Sequence, residues 1–174
     1  FLIWFAWRCD AATGDSPQWA NARTTPLQLN RKPVAALAKG LSKRKWVWFD
    51  GATKQTNPGI RGIGGVLKGP AGERIEVCDE IGMGTNNEAE YAALMAILDA
   101  AITAKAPALV VHGDSQLVIK QVNGEWFIKA KELVPMCKTV LELKAQIPSV
   151  ILRWIPREEN AEADALSKKA LGVI

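Results

Sequence analysis

Hydrophobic and polar positions divide the chain near residue 45. Before that point no period is sustained, and only residues 33–41 (PVAALAKGL) carry a pattern fit for one or two helical turns. From Trp46 the pattern sharpens. WVWFD over 46–50 is a continuous aromatic and β-branched run, as a strand covered on both faces requires, and it ends on Asp50. IRGIGGVLKG (60–69) and ERIEVCDEIG (73–82) alternate and are joined by the Pro-Ala-Gly turn at 70–72, which makes a three-stranded meander. Apolar positions then recur at helical spacing over 87–105, with Asn86 or Asn87 as the cap and Pro107 as the stop. ALVVHGD (108–114) is a second wholly apolar strand, and it too ends on an acid, Asp114. Ser115 opens a short helix over 115–124. A third helix over 131–147 sets Leu133, Met136, Val140, Leu143 and Ile147 on one side. SVILRWIP (149–156) is the last strand and REENAEADALSKKAL (157–171) the last helix.

The order β-β-β-α-β-α-α-β-α predicts an α/β domain. Its expected core is a mixed five-stranded sheet, three strands antiparallel and two parallel, with helices on both faces. Residues 46–174 are expected to form this domain and residues 1–45 a basic extension or linker. Trp4, Trp7 and Trp19 suggest that part of the extension packs on something.

Charge sharpens the division. Residues 1–45 hold eight Lys/Arg against two Asp (+6), and the remainder fourteen against sixteen acids (−2), together the net +4. A basic arm on a mildly acidic domain fits a polyanionic partner, and a merely solvated linker fits as well. Cys9, Cys78 and Cys137 are far apart and lack CxxC spacing, which argues against a disulfide framework or zinc site and for a reducing, cytoplasmic setting. No apolar run approaches the ~20 residues of a membrane span. The opening FLIWFAW is too short and lacks the flanks of a signal peptide. It begins on Phe1 rather than Met, as a piece of a longer precursor or an edited sequence would. Nothing in the pattern bears on oligomeric state.

The chemistry gathers on four acids. Parallel neighbours ending at Asp50 and Asp114 would deliver both to the carboxyl edge of the sheet, where open α/β sheets bind ligands. Glu90 stands on the apolar stripe of its helix with Leu94, Ile97 and Ala101, whereas Glu88 points away. A carboxylate on a buried face is costly unless a cation or donors meet it; alone, Glu90 reads equally well as a capping-box acid. Asp164, in the body of the last helix, can close the ring. Four converging carboxylates cannot all stay ionised without cations between them. Hard divalent ions with oxygen shells, Mg²⁺ or Mn²⁺, match such a set, and two of them suit phosphodiester hydrolysis.

DGATKQTNPG with IGGVL, TNNEAEYAAL, HGDSQLVIKQVNGEW and IPREENAEADALS together resemble type 1 ribonuclease H, in family order and spacing, over residues 46–171. The resemblance implies the ribonuclease H-like fold and hydrolysis of the RNA strand of RNA–DNA hybrids, with 3′-hydroxyl and 5′-phosphate products. It implies Asp50, Glu90, Asp114 and Asp164 as the catalytic, metal-holding set, with two Mg²⁺ or Mn²⁺ ions. Asn57, Asn86, Asn87 and Gln116, with the backbone at Gly51 and Thr53, are the implied hybrid contacts; amides can both give to and accept from a 2′-hydroxyl. The alternative is a reverse-transcriptase domain or an inactive binding module. Two features depart from many members: the loop before the last helix is WIPREEN, without His, and the basic handle is reduced to Lys129 and Lys131. His112, inside a strand, is expected to be a packing residue.

Overall fold

The structure, a computed structural model of the 174-residue chain, describes residues 44–173. The helical turns expected at 33–41 lie outside the described residues, as does the basic extension apart from Arg44 and Lys45. Those two already belong to the first strand.

The meander consists of β1 (Arg44–Thr53), β2 (Gly59–Lys68) and β3 (Arg74–Gly84). Helix α1 (Asn86–Thr103) leads to β4 (Ala108–Gly113), and α2 (Gln116–Val122) with α3 (Leu133–Ala145) leads to β5 (Val150–Trp154). A 3-10 turn, Arg157–Asn160, runs into α4 (Ala161–Ala170). The five strands lie in the order β3-β2-β1-β4-β5, with β1–β2 and β2–β3 antiparallel and β1–β4 and β4–β5 parallel. Gly64 of β2 faces α4 while its neighbour Gly65 faces Ile97 of α1, so the two helices occupy opposite faces of the sheet. This is the expected mixed sheet. Its two edges differ: β3 is eleven residues long with Arg74, Glu76, Asp79 and Glu80 exposed or half-buried along it, and β5 is five residues long.

Sequence explains α1 well. Ala, Leu, Met and Glu fill it, and it is apolar nearly all round because it is pressed between the sheet and α3. Tyr91, Leu94, Ile97 and Leu98 are wholly buried, each contributing on the order of 2 kcal/mol. That is enough to hold a costly residue such as Glu90 in the same interface. The helix starts one residue earlier than expected and is capped by Thr85, not by Asn86 or Asn87. The reason is the Glu three residues on: Thr85 Oγ1 accepts from the Glu88 amide at 3.3 Å while Glu88 Oε2 accepts from the Thr85 amide at 2.7 Å.

Four expectations are corrected in detail. β1 does not end at Asp50 but stays paired with β2 as far as Thr53 opposite Arg61. Nor is β1 covered on both faces by the described residues. Val47 and Phe49 are fully buried, but α4 reaches only the far end of the other face, leaving Trp46 39% exposed. In α3 the buried stripe is Leu133, Cys137 and Val140, with Met136 only half-buried. The last helix is not continuous from 157, since its first four residues form the tighter 3-10 turn.

Candidate active site

Parallel pairing of β1 with β4 sets Trp48 opposite His112 and Phe49 opposite Gly113. The next residue on each strand is therefore an acid: Asp50, still within β1, and Asp114, the first residue beyond β4. Gly51 lets α1 approach this edge, because a Cβ there would lie 2.2 Å from both Ala89 C and Glu90 N. Only a hydrogen fits between strand and helix. The start of α1 is fixed a second time by Asn57, whose Oδ1 accepts from the Asn86 amide at 3.0 Å. One turn in, Glu90 reaches the two strand acids. Asp50, Glu90 and Asp114 each offer a carboxylate oxygen, and these oxygens lie within 4.8 Å of one another.

Burial makes this cluster electrostatically costly. Asp50 is 4% and Glu90 6% exposed. Burial pushes the Glu90 carboxyl well above its ordinary range, and the fields of Asp50 and Asp114 push it further, against a hydrogen bond from the Gly51 amide. Burial likewise raises Asp50 to about 6; Ser167 donating to it opposes the rise, while Asp114 and Asp164 add to it. Glu90 Oε2 is fully buried without a hydrogen-bond partner among the described residues. A carboxylate oxygen enclosed beside two further carboxylates fits a cation, which would lower the repulsion and supply the missing partner.

Asp164 stands at the rim and outside this three-acid group. Arg157 Nη2 donates to its Oδ1 at 2.7 Å and Lys168 Nζ to its Oδ2 at 2.5 Å. Burial raises its carboxyl, but these two cations more than offset that and hold it below its ordinary value. Its charge still reaches Asp50.

The positions expected to contact a hybrid lie on β1, the β1–β2 loop and the starts of α1 and α2. Gly51 is buried beneath α1, Thr53 is half-buried at the end of β1, and Asn57 is exposed on the β1–β2 loop. Asn86 is half-buried at the first position of α1, while Asn87 beside it and Gln116 at the start of α2 are exposed. The Tyr91 hydroxyl donates to Gln121 Oε1 at 2.9 Å, tying α1 to α2. Asn87 opens onto a surface groove that Gln121, Trp126, Phe127 and Lys129 also line. Lys120 sits over the Trp126 ring, 4.8 Å from its centroid. His112 is indeed a packing residue: it stacks on Trp48 at 5.1 Å, and burial lowers its pKa.

Several residues at the site were not anticipated from the sequence. Asn160 is wholly buried, and its Nδ2 donates to Asp114 Oδ1 at 2.7 Å and to Phe49 O at 2.9 Å. Ser167 Oγ donates to Asp50 Oδ2. Arg157 and Lys168 hold Asp164. The signal available was helical phase, since Asn160, Ser167 and Lys168 lie four before, three after and four after Asp164.

A family model described as reverse transcriptase-like matches residues 48–170. The structure superposes on ribonuclease H1 from the halophilic archaeon Halobacterium salinarum with a TM-score of 0.71 and 38% identity, covering 75% of this chain and 99% of that one. The chain belongs to the type 1 ribonuclease H family. By sequence it is 40% identical over 129 residues to ribonuclease HI of Halobacterium salinarum, covering 74% of this chain and 64% of that protein. It is 35% identical over 117 residues to the bifunctional protein Rv2228c of Mycobacterium tuberculosis, covering 66% of this chain and 32% of that protein. The ribonuclease H match thus spans just under two-thirds of one relative and about a third of the other. A further type 1 ribonuclease H structure, LC11-RNase H1 in complex with an RNA/DNA hybrid, is 31% identical with a TM-score of 0.67, over 74% of this chain and 96% of that one.

Proposed function

We propose that this ribonuclease H domain is an endonuclease that hydrolyses the RNA strand of RNA–DNA hybrids, leaving 3′-hydroxyl and 5′-phosphate ends. The observation that carries the reading is the cluster of buried Asp50 and Glu90 with half-buried Asp114, in which one Glu90 oxygen is buried without a partner among the described residues. These three, with Asp164 at the rim, would hold two divalent cations, Mg²⁺ or Mn²⁺. Such ions supply charge that activates water and stabilises the leaving oxygen of a phosphodiester. The chain's own part is to orient the acids. Asn160 fixes the rotamer of Asp114, the capped start of α1 fixes Glu90, and Arg157 with Lys168 keeps Asp164 ionised beside the triad. Because Asp50 and Glu90 hold protons more tightly than ordinary carboxyls, cation binding would release protons and strengthen with pH.

Gly51, Thr53, Asn57, Asn86, Asn87 and Gln116 would contact the hybrid, and their backbone or side-chain amides suit 2′-hydroxyls. Asn57 already spends its Oδ1 on the Asn86 amide, so its Nδ2 is the group it offers to substrate. Cys78 and Cys137 are free thiols, which supports a reducing, cytoplasmic setting. No helix among the described residues is long and apolar enough to cross a membrane. A place within a reverse transcriptase is the second reading, favoured by the family description; it leaves the chemistry of the site unchanged. The test is cleavage of a labelled hybrid beside matched RNA–RNA and DNA–DNA duplexes, with and without EDTA. Cutting confined to the hybrid and abolished by EDTA is expected; cutting that survives EDTA refutes the reading.

A further inference from the structure

Helix α4 rests directly on the backbone of β2. A Cβ on Gly64 would come within 2.2 Å of Ala163 O and 2.4 Å of Ser167 N, and one on Gly62 within 2.3 Å of Ser167 O. Gly64 is also the residue opposite Asp50 in the β1–β2 register. Two glycines thus bring the helix close enough for a short side chain, Ser167, to touch Asp50. Ser167 is wholly buried. Its Oγ donates to Asp50 Oδ2 and also lies 2.9 Å from Asp164 O in its own helix. A hydroxyl has one proton to give, and a carboxylate is a stronger acceptor than a helix carbonyl.

We propose that Ser167 is a positioning residue for the metal site. It pins one oxygen of Asp50 from behind, so that the carboxylate is held in one rotamer and presents its other oxygen toward Glu90 and Asp114. Hydrogen bonds behind ligating carboxylates orient them and raise metal affinity. This inference rests on the metal-dependent reading given above. The plainer account makes Ser167 a buried serine satisfied by Asp164 O, the common back-bond within a helix. That account predicts a change in stability only.

Ser167→Ala keeps a good helix former and removes only the hydroxyl. Mn²⁺ binding by calorimetry on the full chain, together with melting in EDTA, separates the two accounts. We expect the dissociation constant for Mn²⁺ to weaken about 10- to 100-fold, with melting in EDTA within a few degrees of the parent. Asp50→Asn, measured in parallel, is expected to lose Mn²⁺ binding outright. Should the alanine variant not fold, Ser167→Cys, similar in size and a weak donor, gives the same comparison. Mn²⁺ affinity within twofold of the parent in the Ser167 variant, while Asp50→Asn loses binding, overturns the positioning role alone. Unchanged binding in Asp50→Asn would remove the metal reading of the triad and this proposal with it.

Discussion

Asp50→Asn should stabilise the metal-free protein, and by an amount that depends on pH. The carboxyl of Asp50 is raised from 3.8 to about 6, with burial as the largest cause. A group whose folded pKa is raised gives stability that is fully present below the unfolded value and lost as pH rises through the folded value. Asp50 therefore weakens the native state progressively between about pH 4 and pH 7. A shift of this size corresponds to about 3 kcal/mol at neutral pH, taken as an upper bound because Glu90 and Asp114 share the strain. Asparagine keeps an oxygen to accept from Ser167 and removes the charge. In a domain of this size the gain amounts to a melting temperature higher by on the order of 10 °C at pH 8 in EDTA, shrinking toward zero near pH 4. Thermal melts of both proteins across that range, in EDTA and again with excess Mg²⁺, make the measurement. Magnesium should reverse the order, since only the parent keeps the full ligand set. Parallel melting curves for the two proteins from pH 4 to pH 8 in EDTA would refute the reasoning.

Glu90→Gln should cut hybrid cleavage by more than the ~100-fold that losing a group behind the ligands costs. Glu88→Gln, which retains an acceptor for Thr85, should change activity little; equal losses would contradict the assignment. Replacing His112 with Asn should leave the shape of the pH–rate profile unchanged, because the ring is spent on Trp48 and the site has no imidazole among the described residues. Lys105 closes α1 with a left-handed backbone, φ 50°. Lys105→Gly should therefore raise stability by about 0.5–1 kcal/mol in urea titrations, with a decrease counting against strain at that position. Deleting residues 1–42 should leave metal-dependent cleavage intact but flatten the salt dependence of hybrid binding, by roughly 0.9 in log–log slope for each phosphate that the arm neutralises. An unchanged slope would mean that the basic arm does not touch the hybrid.

Whatever depends on neighbours in the chain was legible in the sequence. The strands showed as apolar runs, and the phase of α1 separated Glu90 from Glu88 correctly, with Leu94, Ile97 and Ala101 buried beside it. Thr85 was within reach too: TNNE is itself a capping box, but the two asparagines are equally good caps by residue type and drew the boundary one place late. Met136 displaced Cys137 from the expected stripe because methionine is the larger apolar residue, although the geometry of α3 buries the thiol. What stayed hidden was distant contact. Ser167 meets Asp50 across 117 residues and Asn160 meets Asp114 across 46; helical phase groups both with Asp164 but does not reveal these partners. Asp164 was expected to close the ring of acids; it stands outside the three-acid group, near enough for its charge to act on Asp50. Lys168 claims one Asp164 oxygen through the i,i+4 spacing within α4, whereas the reach of Arg157 to the other depends on the 3-10 turn that precedes the helix.

The sheet order has a consequence for self-association. Among the described residues β3 is an outer strand of eleven residues, long enough to accept another strand along its outer edge. Apart from Gly82 and Met83 near its end, its exposed positions are charged: Arg74 is paired with Glu76 and with Glu162 of α4, and Asp79 and Glu80 follow. A second β3 laid against this edge would have to bring acids face to face or strip Arg74 from its partners. The opposite border, β5, offers five residues. The same ion pairs that fasten α4 over the acids thus also guard the flank of the sheet against growth into aggregates.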